Sequence, residues 1–209
     1  TKTLSSISRT DINSWIAKQL TTHQPATVKR QYNTLRAIIN DALHSGLIES
    51  SPLVRIDPIR GIQPRQRFLS DEELTILLAK AQEVQDWLPD FILWQLHSGM
   101  RKGETQQLAW SDVRRLPDDK VIVQVKRAKG DKFRTVVATE TMKSVLSRQW
   151  NRRVEGDERV FPVSKMTLRR RWEKARREAG LEEVSVHDLR RTNATHAAVA
   201  GIDLRTLAG

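Results

Sequence analysis

The sequence predicts a mainly α-helical protein with one small antiparallel sheet, laid out in two parts. Three observations predict it. Apolar residues recur at three- and four-residue spacing through most of the 209 residues, the pattern of helices that bury one stripe. That period gives way to short β-rich runs at VIVQVK (121–126) and FRTVVA (133–138), around a glycine-containing turn, RAKGDK, which together read as a hairpin. Between the two helical regions, SSPLVRIDPIRGIQPRQRF (50–68) carries three prolines, one glycine and four arginines and reads as an extended basic linker. The expected layout is a helical part over 1–58, a basic linker over 59–67 and a larger domain over 68–209.

In chain order, DINSWIAKQL (11–20) sets Ile12, Trp15, Ile16 and Leu20 on one stripe. Thr27 is positioned to cap a second helix with an apolar face of Val28, Leu35, Ile38, Ile39, Ala42 and Leu43, and Gly46 is its expected stop. Two helices bury little by themselves, so further helices are expected upstream of Thr1. Ser70 and Glu73 form a capping box for the next helix. LPDFILWQLHS (88–98) reads as a buried helix ending at Gly99. After the hairpin come TETMKSVLSRQWNRRV and the basic SKMTLRRRWEKARREAG, and a last helical segment begins at Val186.

Composition narrows the partners. Lys and Arg number 36 against 25 Asp and Glu, a formal net charge of +11, which favours a polyanion and makes nucleic acid the first candidate over a merely basic protein. The absence of cysteine excludes disulfides and thiolate metal sites and suits a reducing compartment. No apolar run approaches the ~20 residues of a membrane span, and no secretory signal is visible.

Four places gather basic or imidazole groups where the chain turns or a helix starts. In HSGMRKGETQQLAWSDV (97–113), Arg101 follows the helix-breaking Gly99, and Glu104, one turn on, can hold its guanidinium so that the fork faces a phosphate. Alone, this is also what an ordinary surface pair looks like. Lys129 sits at the hairpin tip with Lys132 and Arg134 nearby, where an ammonium could enter a nucleic-acid groove or simply be solvated. The helix over 164–179 carries Lys165, Arg169, Arg170, Arg171, Lys174, Arg176 and Arg177 outside a stripe of Leu168, Trp172, Ala175 and Ala179, which fits a helix on a DNA backbone or an exposed solubilising one. Last, in VHDLRRTNATHAAVAGIDLRTLAG (186–209), His187 and Arg190 are one helical turn apart and can face one point, with Arg191 beside them.

Taken together, GMRKGE with LAW and SDV, then KGDKFRTVV, then HDLRRTNATH with GIDLRTL resemble the tyrosine recombinases, the phage-integrase family, in order and approximate spacing. TVKRQYNTLRAIINDALHSGLIESSP is similar to the end of that family's helical core-binding domain, so the resemblance covers nearly the whole chain. It implies a partial core-binding domain joined to an integrase-type catalytic domain. Arg101 would be the first catalytic arginine, Lys129 the hairpin lysine, and His187 with Arg190 the H-x-x-R pair. The expected DNA contacts are Lys132, Arg134, Lys165, Arg169, Arg170, Arg171 and Arg191. The implied activity is site-specific cleavage and rejoining of double-stranded DNA through a 3′-phosphotyrosine, with no metal or nucleotide cofactor. The implied setting is the DNA of a bacterial cytoplasm, and the implied assembly of the full-length parent is a homotetramer on a specific recombination site.

Two departures stand out. The family's nucleophilic tyrosine lies some tens of residues after the H-x-x-R pair, so it is expected beyond Gly209, and the chain is expected to be a piece of a longer protein, monomeric and without cleavage activity by itself. Its one tyrosine, Tyr32, falls in the N-terminal helix pair, where packing is its expected role. Asn193 stands where the family more often has an apolar or aromatic residue. A DNA-binding regulator that keeps the fold without the chemistry is the alternative. A metal-dependent nuclease is disfavoured because no Asp, Glu or His cluster has ligand spacing.

Overall fold

Ser8 and Asp11 cap each other's backbone reciprocally and so start the first helix, α1 (Arg9–Leu20). The second, α2 (Pro25–His44), begins two residues before the expected Thr27 cap. Pro25 supplies the first turn with a preset φ and no surplus N–H, so Gln24 precedes the helix without a side-chain cap. Gly46, at φ +68°, follows the end of α2 in the left-handed conformation that glycine adopts without steric cost. Ile12, Ile16, Val28, Tyr32, Ile39, Ala42 and Ile48 form the core of this part. Of the face expected for α2, Val28, Leu35, Ile39, Ala42 and Leu43 meet the core with Tyr32, while Ile38 is 54% exposed. Leu53, Ile56 and Ile59 pack on this core, so the start of the expected linker is held by apolar contact rather than extended into solvent.

The computed structural model describes residues 3–62, 67–126, 133–199 and 201. The chain divides into two compact units, 1–65 and 66–209, each with its own apolar cluster.

The second unit is built around α4 (Leu88–Ser98), whose Leu88, Phe91, Ile92 and Trp94 are all buried. It packs against α3 (Asp71–Val84), α6 (Glu140–Asn151) and α8 (Val186–Val199), and α7 (Lys165–Glu178) packs on α3. Phe161 meets Phe91 and Trp94 edge-on at 5.5 and 6.0 Å. The capping box of α3 forms from Ser70 and Glu73 as expected, and Thr139 and Ser164 cap α6 and α7. A short helix, α5 (Lys102–Gln107), links α4 to the sheet.

The sheet has three antiparallel strands in the order β1 (Val113–Arg115), β2 (Val121–Lys126) and β3 (Phe133–Val137). Val123 pairs with Val113 on one side and Val136 on the other. Val121, Val123 and Val125 point inward, the alternation expected of a half-buried strand. Strand β1 is an addition to the expected hairpin: three residues are too few to display a period.

One buried carboxylate joins α4 to α6. Asp90 accepts from Arg148 at 2.7 Å, Gln149 at 2.8 Å and Arg152 at 2.9 Å, so its charge is compensated. Arg67, the last residue of the expected basic linker, binds Glu73 and Glu183 instead of facing solvent freely. Among the described residues no helix is long and apolar enough to cross a membrane.

Candidate active site and nucleic-acid interface

The end of α4 and the start of α8 create the first half of the site. Helix α4 stops at Gly99, whose φ of +58° turns the chain left-handed. The last carbonyls of a helix lack intrahelical partners and carry the negative end of its dipole. Helix α8 supplies donors to both groups there. Arg190 donates to the Gly99 carbonyl, and Asn193 Nδ2 donates to the His97 carbonyl at 3.4 Å. A Cβ on Gly99 would lie 2.8 Å from Asn193 Oδ1, so this approach requires glycine. Asp188, fully buried, turns back to accept from the N–H and Oγ of Ser185, both at 2.8 Å, and fixes the first turn of α8.

The second half is a single carboxylate shared by two arginines. Glu104, in the first turn of α5, accepts from the Arg101 N–H at 2.8 Å and from Arg101 Nη1 at 3.0 Å. From the opposite side, Arg134 on β3 closes a two-point pair with the same carboxylate, at 3.0 and 2.6 Å. Burial disfavours the Glu104 charge, but the bonds from Arg134 and from the Arg101 backbone and guanidinium outweigh it and hold its pKa at about 2.

Arg190 sits close enough to feel this cluster. Burial lowers its pKa, the charges of Arg101 and Arg134 lower it further, and Glu104 opposes them. Three guanidiniums against one carboxylate leave a net charge of +2, and Arg101 is 63% exposed at the surface. A net positive charge of this kind attracts anions electrostatically.

His187 is exposed and shares with Arg190 a groove of about 570 Å³, walled by Trp172 and Arg176 of α7 and by Lys102. Arg101, His187 and Arg190 are therefore brought to one region. Lys129 and Lys132 lie outside the described residues.

The other expected DNA contacts divide. Lys165, Arg170 and Arg171 are exposed on α7, and none has a carboxylate partner among the described residues. Arg169 is exposed but bonded to Glu173 at 2.8 Å. Arg191 is tied to the buried Asp188 at 2.7 Å. Arg134 is only 15% exposed and has both terminal nitrogens of its fork on Glu104, so it is not a free surface cation. Sequence reasoning missed Lys102, whose only signal is adjacency to Arg101. Arg176, one of the basic residues expected on α7, lines the groove while bonding the Val184 carbonyl at 3.0 Å. Tyr32 is in the core of the first unit, as expected. Among the described residues no group of three or more His, Asp or Glu could hold a metal ion.

Residues 67–209 match the phage integrase family. Over 99% of its length the chain is 30% identical to a putative integrase/recombinase of Haemophilus influenzae, of which it spans 69%. A second such protein of the same organism is 23% identical over 88% of the chain and is spanned to 52%. Among solved structures, a lambda integrase dimer bound to a COC′ core site is similar over 98% of this chain and 78% of that one, at 19% identity and a TM-score of 0.76. The Tn1549 transposon integrase in complex with circular intermediate DNA is similar over 99% of this chain and 78% of that one, at 17% identity and a TM-score of 0.73. The XerH site-specific recombinase bound to difH is similar over 98% of this chain and 64% of that one, at 20% identity and a TM-score of 0.71. At these identities the structural likenesses speak for the fold.

Proposed function

The chain belongs to the phage integrase family, and on that premise we propose that it is the DNA-grasping, phosphate-holding part of a tyrosine-type site-specific recombinase. The observation that carries this reading is the cluster of Arg101, Arg134 and Arg190 around the one carboxylate of Glu104, with His187 on the adjoining groove wall.

The chemistry asks for such a cluster. A tyrosine hydroxyl attacks the scissile phosphorus, the bond to the 5′-oxygen breaks, and the protein becomes joined to DNA as a 3′-phosphotyrosine. The freed 5′-hydroxyl of a partner strand later attacks that ester and releases the tyrosine, so the phosphodiester energy is conserved. Charge builds on the non-bridging oxygens as the phosphorus becomes five-coordinate, and the forks of Arg101 and Arg190 neutralise it without a metal. His187 donates to the same phosphate, and Lys129 protonates the leaving 5′-oxygen. Lys165, Arg170 and Arg171 hold the backbone of the flanking duplex. Residues 1–58 contribute a core-binding part, and the full-length parent acts as a tetramer on a specific DNA site in the bacterial cytoplasm. Tyr32 is buried in the core of the first unit and is not proposed as the nucleophile.

The test uses the full-length parent and a suicide DNA site, one whose cleavage releases a short fragment that cannot religate. Covalent protein–DNA product should form in the presence of a chelator. Arg101→Ala or Arg190→Ala should abolish it while leaving DNA binding largely intact. Attachment that survives both changes would refute the site, and attachment that needs magnesium would point to a metal nuclease. Binding without any attachment by the unsubstituted parent would favour a regulator that keeps only the fold.

A further inference from the structure

Arg134 lies on β3 opposite Val125, one pair in from the Lys126–Phe133 end of the β2–β3 ladder. Residues alternate along β3, and Arg134 shares its inward side with Val136, which packs on the core. Its guanidinium therefore reaches the body of the unit and meets Glu104, where both partners are nearly closed off from solvent, at 15% and 13% exposure.

The hydrogen bonds of Glu104 are saturated. A carboxylate offers about four acceptor directions. On Oε1 stand Arg101 Nη1 and Arg134 Nη1, both at 3.0 Å, and on Oε2 stand the Arg101 N–H at 2.8 Å and Arg134 Nη2 at 2.6 Å. Arg101 thus spends one guanidinium nitrogen on Glu104 and keeps the rest of its fork outward. Were Arg134 absent, two acceptor directions would open beside Arg101, and a two-point Arg101–Glu104 pair would become the favoured geometry. That pair would draw the fork away from the surface.

We propose that Arg134 is a positioning residue: by filling one side of Glu104 it keeps the Arg101 guanidinium turned outward for the scissile phosphate. The inference rests on the reading that Arg101 grips that phosphate. It replaces direct DNA contact as the role of Arg134.

The experiment compares Arg134→Ala, Glu104→Gln and the double variant with the unsubstituted full-length parent. Two suicide sites are used, an ordinary phosphodiester and a methylphosphonate at the scissile position. A methylphosphonate lacks one charged non-bridging oxygen and so depends less on an arginine fork. Arg134→Ala should cleave the ordinary site about ten- to a hundredfold more slowly, the scale expected of a reacting group displaced by ~1 Å. Its affinity for DNA, and the salt dependence of that affinity, should stay as in the unsubstituted protein. On the methylphosphonate the defect should largely disappear, which a folding defect would not do. The double variant should be no slower than Arg134→Ala, since removing the carboxylate removes the trap.

The proposal fails if Arg134→Ala cleaves the ordinary site normally, if its defect is as large on the methylphosphonate, or if its affinity drops with a shallower salt slope. If Arg134→Ala does not fold, Arg134→Lys, which keeps the charge but loses the fork, goes through the same comparison and decides. A parent that forms no covalent product on either site would refute the recombinase reading instead, a different result from any of these.

Discussion

Glu104 has a consequence for stability as well as for chemistry. Its carboxyl is held at about 2 against an ordinary 4.5, so the charged form is favoured by folding. A depressed carboxyl stabilises the fold fully above the unfolded value, and the contribution is lost as pH falls from about 4.5 towards 2. At neutral pH it amounts to roughly 1–3 kcal/mol once screening by solvent is allowed for. Glu104→Gln should therefore unfold more easily at pH 7 by about that amount, and the gap to the unsubstituted protein should close as the pH approaches 2. Denaturant titrations across that range test it, and a gap that stays constant with pH would show that the carboxylate charge is not the cause. At this scale the sequence was partly legible. The Arg101–Glu104 pair could be read because both residues lie within one helical turn. The share of Arg134 in the same carboxylate could not, because thirty positions and a strand register separate it from Glu104.

The joint between α4 and α8 decides whether Arg190 reaches the site at all. Gly99→Ala would force a side chain into the left-handed region and bring its Cβ within 2.8 Å of Asn193 Oδ1. The backbone part costs about 1 kcal/mol and the displaced Asn193 adds to it, for a total of roughly 1–3 kcal/mol. Adding Asn193→Ala should recover the steric share but not the backbone share. Melting curves of the two single variants and the double would separate them, and strictly additive losses would sink the claimed contact. The helices themselves were mostly legible, because Ser70 with Glu73 and Gly99 are local signals that nothing distant overrides. What escaped was mostly set by tertiary partners: Leu53 and Ile59 were drawn onto a core, and β1 exists because β2 offers it an edge. The start of α2 is a local matter, fixed by Pro25 in its first turn.

Across the molecule the excess charge of +11 is unevenly committed. Arg67, Arg134, Arg148, Arg152 and Arg191 are bound to carboxylates within the second unit, where they stabilise the fold and have little left for a polyanion. Arg170 and Arg171 stand exposed on α7 without such partners among the described residues. Each phosphate neutralised releases condensed counterions, so the logarithm of affinity falls against the logarithm of salt with a slope of about −0.9 per contact. This chain, with Tyr32 buried, should therefore bind duplex DNA in a salt-sensitive way and form no covalent product. Arg170→Ala and Arg171→Ala should each weaken binding to all sequences alike and reduce the slope by about 1. Arg191→Ala should leave the slope nearly unchanged, because its charge is already matched by Asp188. Affinities measured at several salt concentrations decide between these cases. Equal slopes for all three variants would mean that net charge alone, and not its placement on α7, draws the protein to DNA.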